Sequence, residues 1–350
     1  MSRHTLLDMR ISKRLLVGAT AAVFLPLIAV PQSIGPAMKA IVVHEYGGPE
    51  VLKYEDVARP EPKDGEILIR VIAAGVNPVD GLVRSGVYAK YFRTKLPLIP
   101  GYDVAGTVEQ AGAKMTKFKA GDSVYAYLGL KDGGGYAEYA VATEKEASPK
   151  PKTLNYVEAA AVPLAAETAW QALIDTAKLR AGQTVLIHGG SGGVGSFAIQ
   201  IAKAKGAKVI ATASTANQDL LKELGADVAI DYTKTKFEDV AKEVDVVLDS
   251  VGKDTLARSY AVVKKGGFIV SLVGEPDSAQ MQERGIRGAP LNVTANSVEL
   301  AEITKLIEGK KIKPVVSEVL PLTDAAKAQA QAATHHTRGK IVLKVAESER

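Results

Sequence analysis

The chain has 350 residues, room for two domains with separate cores, and contains no cysteine, one tryptophan and six phenylalanines. Disulfides, cysteine nucleophiles and thiolate zinc sites are thereby excluded, and the core has to be built from Val, Ile, Leu and Ala. The formal charge is +5. Arg3, Arg10, Lys13 and Arg14 against Asp8 concentrate the excess in the first residues, and the rest lacks the basic clustering that a nucleic-acid surface requires.

Residues 1–14 are polar and basic, residues 15–30 carry no charge, and residues 31–37 hold small residues and prolines. This is the pattern of a signal peptide. The apolar run is short for a bilayer span and contains Pro26. Ser12-Lys13-Arg14-Leu15-Leu16 resembles a twin-arginine export signal with Lys in the first arginine's place. Two readings stay open: an exported, periplasmic protein, or a cytoplasmic one whose translation starts at Met38.

From Met38 the composition predicts a first domain over 38–160. Short β-like runs at 39–43, 66–73, 106–109 and Ser123–Tyr127 are separated by Gly and Pro turns, as in a small β-barrel. Residues 157–176 read as an Ala-rich helix interrupted near Pro163. Strands and helices then alternate over 161–296. The strands are 184–188, 208–212, 228–230, Val244–Asp249 and 267–272, and the helices are 195–206 and 217–224. Apolar strands in βα units predict a parallel sheet covered on both faces. The tail, 297–350, holds a helix over Ser297–Glu308, an extended piece at 313–320, a helix at 324–333 and a last strand at 340–345, and is expected to complete the first domain.

The most informative stretch is Ile187-His188-Gly189-Gly190-Ser191-Gly192-Gly193-Val194-Gly195. An apolar strand runs into a glycine-dense turn and then an amphipathic helix. Glycines let backbone N–H groups approach a diphosphate, and the helix N-terminus adds partial positive charge. Side chains at Gly190 or Gly193 are expected to intrude on the phosphates. The next strand ends in Thr212-Ala213-Ser214-Thr215-Ala216-Asn217, without the carboxylate that selects NAD. Ser214, Thr215 and Asn217 can donate to a 2′-phosphate, so the cofactor is expected to be NADPH; the same hydroxyls could instead cap the following helix.

Four segments together resemble the medium-chain dehydrogenase/reductase superfamily, in its zinc-free branch of quinone oxidoreductases and alkenal reductases. They are Ala73-Ala74-Gly75-Val76-Asn77-Pro78-Val79-Asp80, Pro100-Gly101-Tyr102-Asp103-Val104-Ala105-Gly106, the glycine-rich turn, and Gly339-Lys340-Ile341-Val342-Leu343. The resemblance implies a GroES-like β-barrel catalytic domain plus a doubly wound Rossmann domain, an α/β architecture with the site in the cleft. It implies an enzyme that transfers hydride from NADPH to a quinone or an α,β-unsaturated carbonyl. Alternatives are a crystallin-like cofactor binder with little turnover and another NADP-dependent alcohol or carbonyl oxidoreductase. Where zinc relatives have Cys and Gly-His-Glu, this chain has the Ala74–Asp80 segment and Gly101-Tyr102-Asp103, so no metal is expected.

The resemblance places Asn77 and Asp80 in the nicotinamide cleft, with Tyr88 a nearby donor; Asp80 could equally be an i,i+4 partner of Arg84. Cofactor contacts fall on Thr168, the turn residues Gly190, Ser191, Gly192, Gly193 and Val194, and on Ser214, Thr215, Asn217 and Tyr232. They extend to Val251, Ser271, Leu272 and Val273 at strand ends, and to Arg338 and Lys340 in the tail. Residues 88–97 and 280–290 are expected to shape the acceptor pocket. Relatives often form homodimers through a Rossmann-sheet edge, and residues 268–273 are a candidate for it.

Overall fold

The computed structural model describes residues 36–89 and 95–347. Of the expected leader over 1–37, residues 1–35 lie outside the described residues, as does part of the 88–97 loop; Ala37 is already in the first strand.

Two sheets organise the chain from Ala37 onward. The first has seven strands: β3 (Glu66–Gly75), β4 (Asp103–Ala111), β5 (Ser123–Tyr127), β6 (Tyr139–Thr143), β7 (Ala147–Pro149), β14 (Val316–Pro321) and β15 (Lys340–Lys344). Its path runs β14-β15-β3-β4-β5-β7, with β6 added on β3. Beside it lies a hairpin of β1 (Ala37–Val43) and β2 (Leu52–Ala58), a strand missed in the sequence because Lys53, Glu55 and Asp56 mask its alternation. The tail enters this sheet through β15, antiparallel to β3 with Val342 opposite Gly75.

The second sheet is six-stranded and parallel: β8 (Thr184–Ile187), β9 (Lys208–Ala213), β10 (Val228–Asp231), β11 (Val244–Asp249), β12 (Val263–Ser271) and β13 (Arg287–Pro290). Its order, β10-β9-β8-β11-β12-β13, is the 3-2-1-4-5-6 order of a Rossmann sheet, which places ligands where the order reverses, beyond the ends of β8 and β11. The strands Thr-Val-Leu-Ile and Val-Asp-Val-Val-Leu-Asp are apolar on both faces because helices cover both. The 268–273 run is therefore no sheet edge: Phe268–Ser271 lie between β11 and β13, and the edge is β13.

Pro163 divides the Ala-rich stretch as expected. A helix α2 (Tyr156–Ala160), capped reciprocally by Asn155 and Glu158, ends before it, and α3 (Pro163–Trp170) opens on it. α3 is buried along its length and packs on α4 (Gly193–Ala204), the helix after the glycine turn. The tail helix α5 (Ser297–Glu308), N-capped by Asn296, sends Leu300, Ile303 and Ile307 into a core shared by β8, α4 and the barrel strands β3, β4, β5 and β15, and it packs on β7.

Candidate active site

Asn77 is the N-cap of a short helix α1 (Pro78–Arg84), with Pro78 at its first position. Its side chain makes no cap bond. Instead its Nδ2 donates to Asp103 Oδ2 at 2.9 Å, and its Oδ1 accepts from Lys340 Nζ. Lys340 Nζ also meets Asp103 Oδ2 at 3.1 Å, and Asp103 Oδ1 accepts from Leu164 N at 2.7 Å. Asn77, Asp103 and Lys340 are all buried. Four separate segments thus converge: α1, the start of β4, the first turn of α3 and the start of β15.

Asp80 lies behind this group. It accepts from Asn77 N at 2.8 Å and Tyr136 Oη at 2.6 Å, while its other oxygen has no partner among the described residues. Burial raises its pKa to about 7, against the opposing pull of Tyr136, Asn77 and Lys340. The Arg84 pairing is not made; that guanidinium bonds Gly47 O and Gln329 Oε1. Asp80 is enclosed behind Asn77, in a position to hold the loop rather than to meet a substrate.

Next to the polar group is an apolar cluster of Val83, Tyr102, Tyr127 and Leu164, packed by Val79, Tyr88, Leu98, Leu130, Val293 and Ala295. Val79 and Val83 lie on the helix that Asn77 caps, Tyr102 precedes Asp103 in the chain, and Leu164 supplies the amide that Asp103 accepts. Tyr88 borders the cluster. Burial pushes the Tyr102 and Tyr127 hydroxyls well above the ordinary tyrosine range, so both keep their protons. Val293 and Ala295 reach the cluster from a segment pinned by α3, with Gln171 Nε2 on Thr294 O at 2.7 Å and Asn296 N on Glu167 Oε1 at 3.0 Å. The expected 280–290 contribution is corrected here. Those residues form a helix over Ser278–Arg284 and the edge strand β13, and the chain just beyond them does the lining.

The glycine turn sorts itself by what a Cβ would meet. A Cβ on Gly195 would collide with the Gly189 carbonyl, so this glycine seats α4 on the turn. One on Gly190 points inward, 2.9 Å from Leu221 Cδ2 and 3.0 Å from Ala211 Cβ. One on Gly193 meets Lys340 Cδ at 2.9 Å. Gly192 is the least crowded of the four, its nearest neighbour being Gly189 O at 3.4 Å, an ordinary contact. The pattern is therefore Gly190-x-Gly192-x-x-Gly195, with Gly192 at the phosphate approach. The expectation placed that approach at Gly190 and Gly193, which pack against protein instead; of these glycines only Gly189 has positive φ, +70°. Gly192 offers no side-chain cap to α4, which leaves the first-turn N–H groups for a ligand. Ser191 contributes its carbonyl to Gly339 N at 2.8 Å, and Gly192 bridges to Gly339, so the tail crosses at this turn.

The remaining expected contacts divide. Tyr232, Val251 and Val273 are exposed at strand ends, Val194 and Leu272 are half-buried, and Thr168 is buried with its hydroxyl on Leu164 O. Ser271 is fully buried and donates to Asp249 Oδ2, whose carboxylate holds the N–H groups of Val251 and Gly252; its side chain buttresses the loop and does not face the cleft. Arg338 is exposed, whereas Lys340 is not. Asn217 Nδ2 donates to Ser214 Oγ, leaving the serine proton available. Thr215 spends its hydroxyl on Asp231 Oδ2 at 2.6 Å, a carboxylate at the end of β10 that reading β9 alone overlooks. That bond and those from Thr233 hold Asp231 well below the usual carboxylate range.

Comparison with known proteins meets this geometry at both sheets. Residues 63–152 match the alcohol dehydrogenase GroES-like domain and residues 224–343 the zinc-binding dehydrogenase domain. An NADPH-dependent alkenal/one oxidoreductase of Arabidopsis thaliana is 41% identical over 90% of this chain and 82% of its own. The chain belongs to the medium-chain dehydrogenase/reductase superfamily. Among solved members, the quinone oxidoreductase of Coxiella burnetii superposes with a TM-score of 0.83 at 37% identity, covering 89% of this chain and all of that one. A mycobacterial protein in complex with NADPH superposes with a TM-score of 0.79 at 31% identity, covering 88% and 100%. Asp103, Tyr102, Tyr127, Tyr136 and Glu167 were not singled out by sequence reasoning. Asp103 lay in a quoted motif, and its burial beside a tail lysine could not be read from spacing.

Proposed function

We propose that this protein is an NADPH-dependent reductase that delivers hydride to a quinone or an α,β-unsaturated carbonyl without zinc. The observation that carries the reading is the crossing of the tail at the glycine turn. It brings the diphosphate seat at Gly192 and the Asn77 amide together through two adjacent residues, Gly339, which pairs with Gly192, and Lys340, which bonds Asn77. The names of the Arabidopsis and Coxiella relatives support the substrate class, and the NADPH-bound neighbour supports the cofactor.

NADPH, when bound, supplies the hydride. Gly192 leaves space for its diphosphate, and the α4 N-terminus offers N–H donors and partial positive charge. Asn77 uses one Nδ2 hydrogen on Asp103 and has a second to give to the acceptor oxygen as negative charge gathers there. Val83, Leu164, Val293 and Ala295 keep the acceptor's surroundings apolar and dry, which strengthens that hydrogen bond. Tyr102 and Tyr127 hold their hydroxyl protons at the edge of the same cluster. NADPH oxidation measured across quinones, alkenals and enones, with NADH in parallel, tests the reading. Turnover with one of these classes and tighter binding of NADPH than NADH are expected. Tight NADPH binding with no acceptor turned over would make the protein a cofactor binder instead.

Zinc independence is supported by the donor set. There is no cysteine. Both Asp103 oxygens already accept hydrogen bonds, and one of them faces the Lys340 ammonium, which repels a cation. Dialysis against a strong chelator is expected to leave the NADPH-oxidising rate unchanged; a loss that zinc restores would contradict the assignment.

A further inference from the structure

We propose that Lys340 is the positioning residue for the Asn77 amide: it fixes which end of that amide is offered to the acceptor. The proposal rests on the function given above and adds a role that cofactor contact alone does not supply. An asparagine amide can turn over by half a rotation and exchange its oxygen with its NH2, because the two ends have nearly the same shape. Here the partners forbid the exchange. Lys340 Nζ has only protons to give, so the atom it meets is Oδ1. Asp103 Oδ2 only accepts, so the atom it meets at 2.9 Å is Nδ2. The ammonium and the carboxylate also face each other at 3.1 Å, and Leu164 N holds the far carboxylate oxygen at 2.7 Å. The three side chains form a closed triangle, almost wholly withdrawn from water, in which a reversed amide would set oxygen against carboxylate and NH2 against ammonium.

The Lys340 stem is fixed as well. It passes so close to the first residue of α4 that only a glycine fits, since a Cβ on Gly193 would lie 2.9 Å from Lys340 Cδ. Lys340 follows Gly339, whose N–H is bonded to Ser191 O in the turn. The residue that orients the amide is thus attached to the seat of the cofactor diphosphate. One end of Asn77 is set as a donor, and it is set in register with the cofactor.

The test uses Lys340→Met, Lys340→Arg and the double variant Lys340→Met/Asp103→Asn, which removes both charges and so avoids leaving a buried carboxylate unpaired. Full-length protein labelled with 15N-asparagine gives a turnover-free reading, with the Asn77 side-chain signal assigned by its loss in Asn77→Asp. The parent is expected to show two separate Nδ2 protons, one of them protected from solvent exchange. The double variant is expected to remain folded, and both it and Lys340→Met are expected to lose that protection at least about 10-fold. In the same variant kcat is expected to fall at least about 30-fold while NADPH affinity changes less than about 3-fold, and Lys340→Arg should recover part of the kcat. Amide protection unchanged in Lys340→Met, whether or not the double variant loses it, would overturn the proposal. So would a loss confined to NADPH affinity with kcat intact, which makes Lys340 a cofactor contact. A parent that turns over no acceptor faults the proposed reaction, while the amide signal still decides the role of Lys340.

Discussion

Gly192→Val is expected to keep the fold and lose the cofactor. Gly192 has φ −78° and ψ −179°, a conformation any residue adopts, so no backbone strain is introduced. A Cβ there meets nothing nearer than Gly189 O at 3.4 Å. The only structural cost is the poor capping of valine, about 1 kcal/mol or less. The two methyl groups then stand where a diphosphate must approach the α4 N–H groups. Loss of that approach is expected to weaken NADPH at least about 30-fold, on the order of 2 kcal/mol. Gly195→Val is the informative contrast. Its Cβ would run into the Gly189 carbonyl, and the turn has to open to admit it. That variant should lose thermal stability first and affinity as a consequence. Fluorescence titration with NADPH beside a melting curve separates the two. If Gly192→Val binds NADPH as the parent does, the diphosphate is not seated at this turn.

What the sequence made legible follows from how local each signal is. Five of the six parallel strands were readable because each contains an apolar run; β13, Arg-Gly-Ala-Pro, was not, because it has no such run. Val244–Asp249 and Ser297–Glu308 came out with their observed bounds. The hairpin strand Leu52–Ala58 did not, since three of its seven residues are charged and it pairs only with β1. In the glycine turn, the composition named the function but not the division of labour. Which of Gly190, Gly192, Gly193 and Gly195 faces ligand depends on Leu221, Ala211, Lys340 and Gly189, all but the last of them outside the turn. The polar site was half legible for the same reason. Asn77 and Lys340 stood in recognisable motifs, but 263 positions separate them. Their shared partner Asp103 is informative only once the strands bring all three together.

Glu167 is the clearest case of a residue that only the packed structure exposes, and it makes the stability of the protein depend on pH. Its carboxyl is fully buried; Oε1 accepts from Asn296 N at 3.0 Å and Oε2 has no partner among the described residues. Burial raises its pKa from 4.5 to about 9, with Glu299 and Asp103 adding to the rise against the Asn296 bond. Between those values the folded chain holds a proton that the unfolded chain has released, so stability falls as pH rises and levels off only above the folded pKa. Asp80 acts in the same direction, but its window closes at about 7. His188, lowered to about 3 by burial, has the opposite slope and acts only below its ordinary value of 6.5. From pH 7 to 9 the slope among these three therefore belongs to Glu167. By pH 7 the retained proton costs roughly 3 kcal/mol relative to acid conditions. Glu167→Gln has the shape of the protonated acid and keeps an oxygen for Asn296 N, but it does not titrate. It is expected to be as stable as the parent near pH 4.5 and several degrees more stable at pH 8.5. Urea unfolding of both proteins across this range measures the difference. Parallel curves would mean that Glu167 reaches water in the folded state and carries its charge at neutral pH.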